Sequence, residues 1–260
     1  MVIMLKICRI VRPKEIGVTN PHIVECDDGK SYIAKFPGNP DGTRVLINEY
    51  VCAELAKLFQ LPVPNYRLVT IDNIEEYSSQ LNGINLLNGT VFCSEELEKS
   101  TQIPNYSILP YTTNSIDALK TLIFDVIVGN NDRNPGNMLL NLKNRSFVII
   151  DHSHVFVHGA VWDEYNLADL IGKEIAVDNL NKKTFNTLIS SNNVSSNRVL
   201  INEYKKVVKA IKEADIELIL KGIPIDWIVS EKEKEVLKNF ILDRVNRVDE
   251  IYRLLNIGGD

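Results

Sequence analysis

Three polar side chains recur within residues 129 to 151, GNNDRNPGNMLLNLKNRSFVIID: Asp132, Asn137 and Asp151. A carboxylate and an amide oxygen together suit magnesium, a hard cation that takes oxygen ligands, keeps several waters and is shared with phosphate groups. MLLN and SFVII read as two short strands around residues 142 to 145, and residues 137 and 151 are equidistant from Asn144. In the simplest antiparallel register Asn137 then faces Asp151, and both side chains leave the hairpin together. Asp132 lies five residues before Asn137 on a polar loop, where it can orient or deprotonate a hydroxyl. Phosphoryl transfer asks for little more than this: positioning, a base or orienter, and cations that neutralise developing charge.

The elements that must hold these residues can be read in both directions from the loop. Upstream, Leu119, Leu122, Ile123, Val126 and Ile127 recur at helical spacing and form a core-facing stripe, which stops at Gly129. Further upstream, residues 3 to 11, 22 to 26 and 31 to 36 are rich in β-branched and aromatic residues, with Asp28-Gly29 as a tight turn between the last two. A helix over 46 to 60 places Ile47, Val51, Leu55, Leu58 and Phe59 on one face and ends before Pro62 and Pro64; strands over 66 to 72 and 89 to 94 follow. Residues 73 to 113 otherwise read as a polar connection. Beyond Asp151 the pattern is helical, with good periodicity over 200 to 221 and 230 to 255. The expected fold class is α+β, with a β-rich amino-terminal lobe over 1–94 and a helical carboxy-terminal lobe over 95–260.

The span from Asp132 to Asn137, with the later Ile150-Asp151, resembles the catalytic and metal-binding motifs of the HipA-like kinases, and less closely those of phosphoinositide kinases. The resemblance implies a protein-kinase-like two-lobe fold, with Asp132 as catalytic base and with Asn137 and Asp151 holding magnesium. Asn134 departs from the family, which usually has a histidine there. The chain resembles the compact members, without the extra amino-terminal subdomain of the long ones. The same resemblance matches Lys35, near a strand end, to the lysine that contacts ATP phosphates, and Glu49, on the next helix, to its partner. Glu49 shares a stripe with the small residues Cys52, Ala53 and Ala56, while the strongly apolar face lies opposite, so a buried and a solvated Glu49 both stay open. Adenine is expected against the backbone from Cys93 through Glu95 and Glu96, in a slot lined by Phe92 and Ile150. A phosphate-gripping loop is expected near residues 12 to 21, with Lys14 or Arg12 at the phosphates, although Gly17 is its only glycine.

The implied activity is transfer of the ATP γ-phosphate to a hydroxyl, with a serine or threonine of a protein as the expected acceptor. Two other readings stay open: a nucleotide-binding pseudokinase acting as an interaction module, and an AMP transferase that binds ATP reversed. A net charge of −5 argues against a broad nucleic-acid face. His152, His154 and His158 lack a third ligand at fixed spacing and read as neighbours of the metal aspartate, not as a zinc site. Lys6, Arg9 and Arg12 break the apolar start before a leader could form, and no stretch reaches the roughly 18 apolar residues of a membrane span. Cys8, Cys26, Cys52 and Cys93 form no CxxC pair and read as buried thiols. The expected compartment is cytoplasmic.

Overall fold

The structure, a computed structural model, describes residues 5–14, 19–77, 86–177, 186 and 194–257. Residues 15 to 18, in the expected phosphate loop, lie outside the described residues, as do 3 and 4 of the expected first strand.

Five strands form the amino-terminal sheet: β1 (Ile7–Pro13), β2 (His22–Cys26), β3 (Ser31–Lys35), β4 (Tyr66–Ile71) and β5 (Gly89–Glu95), in the order β1-β2-β3-β5-β4, every neighbouring pair antiparallel. Between β2 and β3 the turn closes where Gly29 adopts φ +77° and its N–H donates to the Cys26 carbonyl at 3.0 Å, a conformation glycine reaches without a Cβ clash. Side-chain alternation gives the sheet two faces. Tyr32, Ala34, Val91 and Cys93 pack in an outer core with Val24, Cys26 and Phe36. Ile33, Lys35, Phe92 and Ser94 face the other way, into the cleft between the lobes.

Helix α1 (Arg44–Leu58) is buried nearly all round, from Val45 through Cys52 and on to Ala56. Its apolar stripe predicts one buried face. The structure buries the other as well, because α1 packs on β5 and also on carboxy-terminal elements near Gly159–Val161 and Ile225–Trp227. A helix enclosed on all sides needs no polar face. Gln60, at φ +53°, ends it, with Leu61 N–H donating to the Ala56 carbonyl at 2.9 Å; the left-handed cap stops α1 before either proline is reached.

A second sheet lies between Asn137 and Asp151 and beside them: β6 (Ser100–Gln102), β7 (Met138–Asn141) and β8 (Phe147–Ile149), in that order. Strand β6 lies inside the stretch expected to be a plain connection. The β7–β8 register differs by one residue from expectation, pairing Met138 with Ile149 and Leu140 with Phe147. Asn141 Oδ1 accepts from the Lys143 N–H at 2.9 Å, and Arg145 turns left-handed at φ +57° as its N–H donates to the Asn141 carbonyl. The loop therefore has an even number of residues, Leu142 to Arg145, and its centre falls beside Asn144 instead of on it. Asn137 consequently opposes Ile150, whose N–H donates to the Asn137 carbonyl at 3.0 Å.

Helix α2 (Ile116–Ile127) runs into the loop, and the regular elements beyond residue 163 are helices: α3 (Glu164–Ala168), α4 (Val194–Lys209), α5 (Glu213–Lys221), α6 (Glu231–Asn246) and α7 (Val248–Leu254). The continuous periodicity over 200 to 221 hides a break, where Asp215 accepts from the Lys212 N–H at 2.9 Å and starts a new helix. One large core joins α1 and α2 to these helices. All four cysteines are free, and Cys8 is exposed, contrary to the buried thiol expected there. Among the described residues no helix is long and apolar enough to cross a membrane.

Candidate active site

Lys35 leaves the end of β3 and is enclosed by three acceptors. Its Nζ pairs with Glu49 of α1, reaches Asp151 Oδ1 at 2.9 Å and donates to Ser153 Oγ at 2.7 Å. The Lys35 and Glu49 side chains are 10% and 7% exposed, whereas Asp151 is 35% exposed; the first two form the floor and Asp151 opens toward the cleft. Of the two readings of Glu49, the structure selects the buried one: Glu49 and Ala53 line the cleft side by side, while Cys52 and Ala56 pack in the main core.

The charges on this triad follow from that enclosure. Burial raises the Glu49 pKa from its usual value, and the Lys35 ammonium only partly opposes it. Burial also works against ionised Asp151, but Lys35 and the Ser153 hydroxyl outweigh it and hold that carboxyl far below its usual range. Lys35 itself is raised, because attraction by Glu49 and Asp151 exceeds its desolvation. Asp151 adopts φ +58°, a left-handed kink at the residue just past the hairpin. Strained backbone of this kind concentrates at functional sites.

Asn137 precedes β7 and also lines the cleft. Its Nδ2 donates to the Asp132 carbonyl at 2.7 Å and lies 3.5 Å from Asp132 Oδ2, so these bonds do not spend its amide oxygen. Asn137 and Asp151 thus offer oxygen donors alone, a set that fits magnesium and not a thiophilic metal. Asp132 stands outside the cleft wall, joined to it through Asn137. Asn134 helps to brace this loop: its Oδ1 accepts from the Gly136 N–H at 2.8 Å, and its Nδ2 donates to the Asp132 carbonyl at 3.1 Å.

The cleft encloses about 360 Å³ and is lined on its apolar side by Ile33, Val63, Phe92, Leu139, Ile149 and Ile150. Glu95 and Glu96 line it, but Cys93 does not; strand alternation turns Cys93 into the outer core, where it is fully buried. The Glu95 and Glu96 N–H groups are taken by the Asn65 and Ser31 carbonyls at 2.7 and 2.9 Å. Lys14 lines the cleft and Arg12 does not. Burial lowers the Lys14 pKa, with Glu96 and Asp151 opposing.

Behind the cleft lie two charged residues, Arg133 and Asp125, to which the sequence pattern gives no role. Arg133 is wholly buried and grips Asp125 with two hydrogen bonds, Nε to Oδ2 at 2.9 Å and Nη2 to Oδ1 at 3.0 Å. The visible sign was Asp125 itself, a charge inside the apolar run LIFDVIV. Of the three histidines, His152 stands with Nε2 3.0 Å from Arg133 Nη2 while its N–H donates to Glu49 Oε1 at 3.1 Å. Burial and the neighbouring guanidinium push its pKa well below the usual value, so the ring is neutral and accepts from Arg133. His154 lies apart, 4.0 Å from Asp41.

A search of curated protein sequences finds no match. Among solved structures, the proinflammatory kinase CtkA of Helicobacter pylori superposes with a TM-score of 0.58 at 15% identity, covering 94% of each chain. HipA of Shewanella oneidensis MR-1, solved with HipB and operator DNA, gives a TM-score of 0.43 at 13% identity over 92% of this chain and 65% of that one, too loose a likeness to carry an argument. The fold is therefore protein-kinase-like, with a sheet-rich amino-terminal lobe and a helical carboxy-terminal lobe. A family model described as HipA-like kinase matches residues 7–253, which supports a kinase-type function, and the chain belongs to the HipA-like kinase family.

Proposed function

We propose that this protein transfers the γ-phosphate of ATP, with magnesium, to a hydroxyl, and that the acceptor is a serine or threonine of a protein. The observation that carries the reading is the convergence of Lys35, Glu49, Asn137 and Asp151, from both lobes, on one cleft. The lobe boundary is placed between residues 94 and 95, and the cytoplasm is the proposed compartment, supported by four free thiols.

In this reading Lys35 holds phosphate oxygens, and Glu49 keeps it extended and charged. Asn137 and Asp151 would hold magnesium, which when bound neutralises charge on the phosphates. The apolar wall of Ile33, Phe92 and Ile150 takes the adenine, with Glu95 and Glu96 at its rim, and Lys14 supplies a second cation at the phosphates. Asp132 takes the proton of the acceptor hydroxyl as its oxygen bonds to the γ-phosphorus and the bond to the bridging oxygen of ADP breaks. The 15% identity with CtkA carries fold and not substrate.

The test is mass spectrometry after incubation with ATP and magnesium, on the chain itself and on serine- and threonine-containing peptides. A gain of one phosphoryl group is the expected result. Gain of an adenylyl group instead would replace kinase by AMP transferase. No gain, with ATP binding intact, would leave a binding module.

A further inference from the structure

We infer that Arg133 and Asp125 form a positioning unit that sets the spacing of the two metal-holding residues, Asn137 and Asp151. The inference rests on the proposed roles of those two residues and adds what holds them at a fixed separation.

Asn137 lies immediately before β7, and Asp151 two residues beyond β8. At that end the ladder stops, with one last bond from the Ile150 N–H to the Asn137 carbonyl. Neighbouring backbone holds each strand separately at this end, Ile103 N–H donating to the Met138 carbonyl at 3.1 Å and Ile149 N–H to the Pro62 carbonyl at 2.8 Å, but past Ile150 no ladder bond joins the two. Arg133 Nη1 lies across the gap, donating to the Asn137 carbonyl at 3.0 Å and to the Ile150 carbonyl at 2.9 Å. One nitrogen thus ties the backbone of one metal residue to the backbone just before the other. The opposite edge of the same planar group is pinned to Asp125 of α2, and Asp125 Oδ1 also accepts from Asn130 Nδ2 at 2.9 Å. The chain runs from helix through carboxylate and guanidinium to both strands of the hairpin.

Only arginine can do this. Its five donors lie in a rigid plane and address a carboxylate on one side and two carbonyls on the other, where a lysine presents a point charge. Neither Arg133 nor Asp125 lines the cleft, so they reach it through the groups that Arg133 bonds, the Asn137 and Ile150 carbonyls and the His152 ring on either side of Asp151. Groups that orient metal ligands in this way typically change metal affinity 10- to 100-fold when altered.

The test measures metal binding without turnover, using Mn²⁺ in place of magnesium and a non-hydrolysable ATP analogue, with free Mn²⁺ read by electron paramagnetic resonance. Asp125→Asn preserves shape while removing the charge that anchors the guanidinium; Arg133→Lys preserves charge while removing the fork. Both are expected to weaken Mn²⁺ binding about 10- to 100-fold and to leave metal-free binding of the analogue within about twofold of the parent. Unchanged Mn²⁺ affinity would overturn the inference, as would an equal loss of metal-free binding, which would mark a merely structural pair. Asp151→Asn is the control: if it too binds Mn²⁺ as the parent does, the metal assignment fails and this inference with it. If Asp151→Asn loses the metal and the Asp125 and Arg133 variants do not, this inference fails alone. Should neither variant fold, Tyr106→Phe loosens the same residue, since Tyr106 Oη donates to the Arg133 carbonyl at 2.9 Å. It is then expected to show a smaller shift in the same direction, and parental affinity there would count against the unit.

Discussion

Lys35 and Asp151, 116 positions apart in the chain, stand with Nζ 2.9 Å from Oδ1 and so join the end of β3 to the segment beyond β8. Glu49 pairs with the same ammonium, so a single cation separates two carboxylates in a largely buried place. The arrangement is stable only while the lysine is present. Removing one partner from a buried ionic group leaves charge uncompensated, at a cost of about 3 to 5 kcal/mol.

Lys35→Met is therefore expected to destabilise the protein by about that amount, and a second change, Glu49→Gln, to recover much of it by removing one of the two opposed carboxylates. Phosphoryl transfer should be strongly reduced in both, since both lose the buried ammonium proposed to hold the phosphate oxygens, and Lys14 at the rim does not replace it. Urea unfolding of the two variants and the parent checks this. A double variant no more stable than Lys35→Met would show that Glu49 and Asp151 do not repel.

The parts of the site that local pattern specifies were legible in the sequence. Lys35 stands near the end of its strand, Asn137 and Asp151 flank the short strands, and Gly129 ends the helix before the loop. The hairpin register was not, because it turns on the left-handed Arg145 and on the Asn141 side chain, which no alternation of apolar residues encodes. Cys93 illustrates the opposite limit. Its place near the hinge is local, but which face it takes depends on the parity of β5 against β3, settled only by the pairing of Ala34 with Cys93. The place of Arg133 is not legible in the sequence because its partners come from α2, the residue before β7 and the segment after β8, a meeting that only the tertiary fold brings about.

A buried histidine away from the site gives a pH dependence. His22, 1% exposed, packs edge-on to Phe36, and its burial outweighs the contact of its ring with the Asn20 backbone. Burial lowers its pKa, so below about pH 6.5 the unfolded chain takes up a proton that the folded chain refuses. Stability from this group is full above that pH and falls as the pH drops, by up to about 1.4 kcal/mol per unit. His22→Leu should lose less stability than the parent between neutral pH and about pH 5. Parallel stability curves for the two would mean that His22 protonates as readily folded as unfolded.

A second tie between the lobes lies on β5, away from the cleft. Pairing of β3 with β5 ends at Phe92, and beyond it Asp226 accepts from the Thr90 N–H at 2.6 Å and from its Oγ1 at 2.9 Å, while Trp227 Nε1 donates to the Thr90 carbonyl at 2.8 Å. Two side chains thus stand in for a missing strand. Asp226→Ala orphans the Thr90 N–H and is expected to cost about 1 to 3 kcal/mol. Asp226→Asn, which keeps an acceptor, should cost less. Hydrogen exchange at the Thr90 amide is the local readout; unchanged protection in Asp226→Ala would mean that water or another group replaces the carboxylate at no cost.

The last prediction separates proton transfer from nucleotide binding. Asp132 stands outside the cleft wall, and its loop is held by backbone and amide contacts: Asn130 Oδ1 accepts its N–H at 2.9 Å, and Asn134 and Asn137 donate to its carbonyl. Asp132→Asn leaves those contacts in place and removes the proton acceptor. Loss of a general base costs about 10²- to 10⁴-fold in rate, and an interaction made chiefly in the transition state leaves substrate affinity nearly unchanged. Transfer should fall by that factor while nucleotide affinity stays within about twofold of the parent. The two quantities must be measured on the same preparation, ATP affinity by titration and phosphate incorporation by mass. Equal loss of both would make Asp132 a support for Asn137, through the contact already present at its carbonyl. Loss of neither, in an active parent, would move the acceptor hydroxyl away from this loop.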